Sequence, residues 1–351
     1  MNRVFGIKDD GVPGGSQYDT IKSNSPVVPD ADTFWPVTGG TFDPGLGRID
    51  RNTEVRGRRA NTSPISFRSD PIITVPVASY RTIMEKAYFK LFGQCVTTGG
   101  SGATPYTQAL TPVGFGTINL PAAHIQLVRD ALNIKMGGAT WNRITLNAPL
   151  DGEGTAEMEF FGKYFDQYVS APPTPSYVGV SDNPLLLRDA QMFIDGSGTA
   201  VPDLQGFSFT YTNNLIRKPY AGRQIAAQSL GSPAKVHKLW FPTENKAQAA
   251  PDVAYSFVLG NTDPSQEYAM WFSQAEKYVI EFTGDALSGA FSATNELMRI
   301  TIFNGVNTGG GGEPLSARDD ITSSFDGGAF YSTADALDVK IEFVTDTAVL
   351  T

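Results

Sequence analysis

Residues 139–164 read ATWNRITLNAPLDGEGTAEMEFFGKY, and this stretch decides the fold. Trp141, Arg143, Thr145 and Asn147 alternate with Asn142, Ile144 and Leu146; past the acidic LDGEG turn, Ala156, Met158 and Phe160 alternate with Glu157 and Glu159. A period of two belongs to strands with one apolar and one polar face. The stretch therefore predicts a β-hairpin, in a chain with few residues suited to catalysis.

The composition agrees. The 36 Gly and 23 Pro supply turns, while 22 Phe and 13 Tyr favour strands. A length of 351 residues suits two ordinary domains or one large one, and 41% apolar content fills a real core. No window approaches the ~18 apolar residues of a membrane span, and MNRVFGIKDDGVPGGSQ has no signal-peptide core, so a soluble protein made in a cytoplasm is expected. The single Cys95 cannot form an internal disulfide. A formal charge of −9 opposes general nucleic-acid binding, yet suits a surface that must not stick to DNA.

Upstream of the hairpin, residues 1–30 lack a period and carry GVPGGS and SPVVPD, as an extended arm would. From Phe34 the chain alternates through FWPVTGGTFD, crosses the charged run GRIDRNTEVRGRRANTS and returns in PISFR, which predicts a long hairpin with a basic tip. In ASYRTIMEKAYFKLFG, Tyr80, Ile83, Met84, Ala87, Tyr88 and Leu91 recur at helical spacing, with Ser79 placed as N-cap and Gly93 past the end. AAHIQLVRDAL, 122–132, carries the pattern of a short helix.

Downstream, SAPPTPS at 170–176 is the most linker-like stretch and sets the expected boundary between domains 31–171 and 172–351. Beyond it LQGFSFTYTNN is a strand, LIRKPYAGRQ a second basic connection, and KVHKLWF and VAYSFVLG are strands. DPSQEYAMWFSQAE is a second helix, with Asp263 as N-cap and Pro264 at its first position. Helix starts at Ser79 and Asp263 lie 184 residues apart (263 less 79), and Glu159-Phe160 precedes Glu342-Phe343 by 183 (342 less 159). The agreement suggests a duplicated domain, with chance recurrence as the alternative.

Chemistry is sparse. His124 and His237 are the only imidazoles and neither neighbours Cys95 in sequence, so a Cys–His nucleophile or His-rich metal site is not expected. DGEGTAEME lacks the later bidentate acid of a calcium loop. GGSGATP and GGGGEP lack a phosphate-cradling Gly-Lys-Ser/Thr and read as mobile loops. No cofactor and no enzyme activity is expected; paired acids for glycoside hydrolysis stay open, since any two carboxylates can meet in space. A carbohydrate-binding or adhesion β-sandwich, stacking sugars on Trp35, Tyr106, Trp141, Trp240 and Trp271, is the main alternative. Arg48, Arg51, Arg56, Arg58 and Arg59 in one hairpin, and Arg217, Lys218 and Arg223 in the other, are either solvated loop tips or contacts to the acidic surface of a neighbouring subunit.

The arm with GIKDDGVPGG, the hairpin RNTEVRGRRANTSPISFRSDP leading into SYRTIMEKAYFKLFG, the pair WNRITLNAPLDGEGTAEMEFFG and the closing FYSTADALDVKIEFV together resemble the tail tube (major tail) proteins of long, non-contractile-tailed bacteriophages. The likeness spans nearly the whole chain and rests on the order of elements. It implies a mainly β fold: two tandem tube-type β-sandwich or half-barrel domains, each with one flanking helix and a long hairpin. It also implies a virion protein, assembled in the host cytoplasm, whose rings stack into a tube for DNA delivery. Rings of six tube domains would need three chains with two domains each. The implied partners are further copies of the chain, tape-measure and tail-tip or terminator proteins, and DNA passing without specific binding, with no membrane insertion. On this likeness Arg51, Arg56, Arg58, Arg59, Arg217, Lys218 and Arg223 become candidate inter-ring contacts. Glu157, Glu159, Asp338 and Glu342 become candidates for the lumen, with ordinary outer-surface solubility as their alternative role. Arg143 and Lys340 on the same strands point to a mixed lining.

Overall fold

A computed structural model describes residues 3–9, 31, 33–43, 46–49, 65–69, 71–102, 104–113, 120–129, 132–162, 164–168, 174–175, 177, 183–194, 200–201, 204–226, 238–247, 250–260, 270, 276–311 and 322–347. The protein is mainly β. Along the first half run β1 (Arg3–Asp9), β2 (Thr33–Trp35), β3 (Thr41–Asp43), β4 (Leu46–Ile49), β5 (Ile65–Ser69) and β6 (Ile72–Ala78), then helix α1 (Arg81–Phe92). They are followed by β7 (Gly93–Ser101), β8 (Thr104–Pro112), β9 (Ala123–Arg129), β10 (Leu132–Pro149), β11 (Thr155–Phe161) and β12 (Tyr164–Tyr168). The second half has β13 (Ala190–Ile194), β14 (Ala200–Val201), β15 (Leu204–Thr212), β16 (Leu215–Ala226) and β17 (Lys238–Ala247). It ends with β18 (Asp252–Gly260), β19 (Glu276–Ala286), β20 (Asn295–Gly311), β21 (Thr322–Ala329) and β22 (Val339–Thr345).

The opening hairpin is β10–β11, with Ile144 opposite Met158 and Leu146 opposite Ala156. β10 is long enough to serve two layers: residues 133–137 pair with β12, and residues 143–149 pair with β15. β20 divides in the same way, pairing with β22 through 297–302 and with β21 through 305–311. Each strand carries a bulge near its change of partners, in β10 between Trp141 and Arg143 and in β20 between Asn307 and Gly309. An extra residue bends a strand and increases its twist, which lets one strand cross between layers.

The pairing scheme recurs along the chain. β1 lies between β2 and β9 as β13 lies between β14 and β19. β3 pairs with β6 and β15 with β18, and each of these hairpins continues outward as a two-stranded ribbon, β4–β5 or β16–β17. β6 pairs with β11 as β18 pairs with β21. The β7–β8 hairpin stands outside the pattern and joins the halves, β8 pairing with β22. The ribbons approach each other where β17 runs beside β5.

One core unites both halves, from Phe5, Trp35 and Phe160 to Phe257, Ile300 and Phe343. Helix α1 is buried on most of its surface, because strands of both halves surround it. Tyr88 and Phe92 meet Phe209 and Tyr211 of β15, with ring centroids at 6.4 and 4.7 Å, and Arg81 pairs with Glu296 of β20. Gly93 ends the helix at φ 80, a conformation that glycine adopts without strain. No helix among the described residues is long and apolar enough to cross a membrane.

Several local expectations are corrected. Tyr80, not Ser79, is the N-cap, because the Ser79 backbone is held by Gly154 and Leu185. Residues 123–129 form strand β9 rather than a helix: covered on both faces, they lose the period of two. Residues 215–224 belong to strand β16, not to a connection. Residues 3–9 are not part of a free arm, since β1 pairs with β9; residues 10–30 lie outside the described ones. The glycines at 99–100 and 309–311 sit in strands β7 and β20. The repeated Glu-Phe does not mark equivalent strands: by its pairing β11 corresponds to β21, and β22 to β12. Most of the expected second helix and of the 170–176 linker lie outside the described residues; Met270 is helical and buried.

Candidate assembly edges

The pairings trace one long sheet in the order β3, β6, β11, β10, β15, β18, β21, β20. Its middle joint, β10 with β15, places Thr145 opposite Thr210 and Asn147 opposite Ser208. Side chains bridge it: Thr210 Oγ1 donates to Thr145 Oγ1 at 3.1 Å and Ser208 Oγ to Asn147 Oδ1 at 2.7 Å. The bulge residue Asn142 anchors the point where the β15–β16 strand leaves the sheet. Its Oδ1 accepts from Leu215 N at 3.0 Å and its carbonyl from Asn213 N at 2.7 Å, while its Nδ2 donates to Glu159 Oε1 at 2.6 Å. Asn213 Nδ2 in turn donates to the carbonyls of Leu91 and Trp141.

At one border, β3 has β6 on one side and no described strand on the other. Thr41 and Asp43 are exposed there and Phe42 is half-buried. At the other border, residues 306–311 of β20 pair with β21 alone among the described strands, while Gly305 is still held by Glu276 of β19. Behind this border Asn307 Oδ1 accepts from Tyr255 Oη at 2.9 Å, and its Nδ2 donates to Met270 O at 2.6 Å and to Tyr278 Oη at 3.0 Å. Burial pushes the Tyr278 phenol up to about 12, so it stays neutral. A Cβ at Gly305 would come within 2.7 Å of the Tyr278 ring, so the close approach there requires glycine.

The face of this sheet away from the core is polar. Glu157 and Asp326 are exposed, and Glu159, Thr145, Thr210 and Ser256 half-buried. Arg143 stands among them, 3.3 Å from Glu157 and 3.7 Å from Glu159. Glu342 is not on this face. It projects from β22 beside Arg299 (3.4 Å) and Lys340 (3.0 Å), with Glu281 2.6 Å from Arg299, while Ile341 and Phe343 of the same strand turn into the core. Asp338 precedes β22. Burial raises its carboxyl pKa against the hydrogen bond accepted from Val339 N, and its charge helps raise the Tyr211 phenol, which burial raises first. The four lumen candidates are therefore not gathered in one cluster: Glu157 and Glu159 share one outward face with Arg143, Glu342 sits with Arg299 and Lys340, and Asp338 precedes β22.

Of the basic candidates, Arg217, Lys218 and Arg223 lie on β16, and Arg48 on β4. Arg51, Arg56, Arg58 and Arg59 lie outside the described residues. Trp35 and Trp141 are buried, which removes two of the five candidate sugar platforms; Trp240 lies on β17 and Trp271 outside the described residues. Among the described residues no group of three or more His, Cys, Asp or Glu could hold a metal. Cys95 is half-buried, and burial raises its thiol pKa, opposed by a sulfur–hydroxyl contact of 3.8 Å with Thr97. The borders themselves escape sequence reading because β3 is three residues long and the end of β20 is mostly glycine. No family model and no curated protein matches the chain.

Proposed function

We propose that this chain is a structural subunit that assembles into stacked rings, as a phage tail tube does. It carries two tandem tube domains, so three copies supply the six units of a ring. One observation carries the reading: the long sheet runs through both halves and ends in two dissimilar borders. Borders that are not self-complementary join head to tail, giving rings or helices, and unprotected edges otherwise invite aggregation. The recurrence of the pairing scheme supports the tandem arrangement. The hydroxyl-rich, acidic face holding Glu157, Glu159 and Asp326 lines the channel, where negative charge keeps DNA phosphates from binding. Arg143, paired with both glutamates, leaves that lining net acidic.

Negative-stain electron microscopy and light scattering of the purified full chain test this. Rings or tubes with six similar lobes, each ring having the mass of three chains, are expected. A chain that stays monomeric across the accessible concentration range overturns the reading.

A further inference from the structure

The geometry points to a specific joint between copies: the outer border of β20 pairs antiparallel with β3 of the next copy, Gly311 opposite Asp43. This deepens the assembly reading and rests on it. The partner is a second copy of this chain, and the register comes from the joint that the chain already makes within itself.

The two halves align residue by residue through their pairings. Trp141 and Arg143 flank one bulge, opposite Phe160 and Glu159; Asn307 and Gly309 flank the other, opposite Gly327 and Asp326. Arg143 thus corresponds to Gly309, and Thr145 to Gly311. Phe160 faces Ile73, which faces Phe42; Gly327 faces Tyr255, which faces Phe209. Phe42 thus corresponds to Phe209, and Asp43 to Thr210. Since Thr145 stands opposite Thr210 inside the chain, Gly311 stands opposite Asp43 between chains.

Two further features fit this assignment. Phe209 is fully buried against α1 and β10, whereas Phe42, at the border, is only half-buried. The end of β20 carries Gly309, Gly310 and Gly311 in place of the lysines, prolines or inward charges that usually blunt a lone edge. Such a strand lets another backbone approach closely.

Disulfide trapping tests the register in a Cys95→Ser background. Asp43→Cys protein is mixed with Gly311→Cys protein and oxidised, and each is also oxidised alone. Slipped mixtures, Thr41→Cys with Gly311→Cys and Asp43→Cys with Gly309→Cys, serve as controls, because a two-residue slip moves Cα atoms beyond the ~7 Å that a disulfide spans. Covalent dimer at least tenfold above the slipped mixtures is expected. Equal or greater trapping in a slipped mixture overturns the register. Hydrogen exchange on the unsubstituted protein gives an independent reading: residues 41–43 and 306–311 gain at least tenfold protection on assembly. Rings that form with neither trapping nor added protection overturn this joint while leaving the assembly reading standing; a chain that never assembles overturns both.

Discussion

At the scale of single residues, Glu85 is a buried carboxyl whose ionisation makes stability depend on pH. It lies on α1 beneath β8, and desolvation raises its pKa to about 7, opposed by Arg81, by a hydrogen bond from Gln108 and by Lys86. A carboxyl whose folded pKa is raised takes up a proton on folding at pH values between its unfolded and folded pKa. Stability therefore falls as pH rises from about 4.5 to about 7 and levels off above that. The difference corresponds to a cost on the order of 3 kcal/mol at high pH. Glu85→Gln removes the ionisation and retains an amide able to donate to Gln108 Oε1, which otherwise lacks a partner. Urea titrations at pH 5 and pH 8 should show the variant close to wild type at pH 5 and more stable by about 1–3 kcal/mol at pH 8. Equal stability of the two proteins at pH 8 would refute the buried-charge account.

At the scale of elements, the bulge in β10 does more than bend a strand. Asn142 is buried and holds the Leu215 amide and the Glu159 carboxylate together, fixing the outward path of the β16–β17 ribbon. Removing its side chain leaves a buried donor unsatisfied, at a cost of about 1–3 kcal/mol. Asn142→Ala should lose that much in urea titration, while Thr145→Ala, at the half-buried hydroxyl pair, should lose under about 1 kcal/mol; similar losses would deny the bulge its anchoring role. The same elements explain what could be read in the sequence. α1 and β10–β11 were legible because one face of each is apolar. β9 was not, because its polar Gln126 and His124 are buried with its apolar residues, erasing the period. β16 was obscured by Arg217, Lys218 and Pro219, which signal a connection. The Glu-Phe repeat misled because strands of like composition occupy unlike places in the sheets.

At the scale of the whole molecule, the β10–β15 joint and the proposed β20–β3 joint use corresponding residues but act in different equilibria. The first contributes to folding of each chain, the second to assembly. Phe209 sits at the first and is fully buried against Tyr88, so Phe209→Ala should cost about 3–5 kcal/mol of monomer stability. Phe42 sits at the second, only half-buried by its own chain. Phe42→Ala should cost less, about 1–2 kcal/mol, while removing apolar area that the next copy would bury. The expected outcome is a dissociation of effects: Phe42→Ala folds, yet needs at least tenfold more protein than wild type to form rings in light scattering. Phe209→Ala is destabilised before assembly begins. If Phe42→Ala assembled at the wild-type concentration, β3 would not be a joint between copies, and the long sheet would have to meet its neighbours elsewhere.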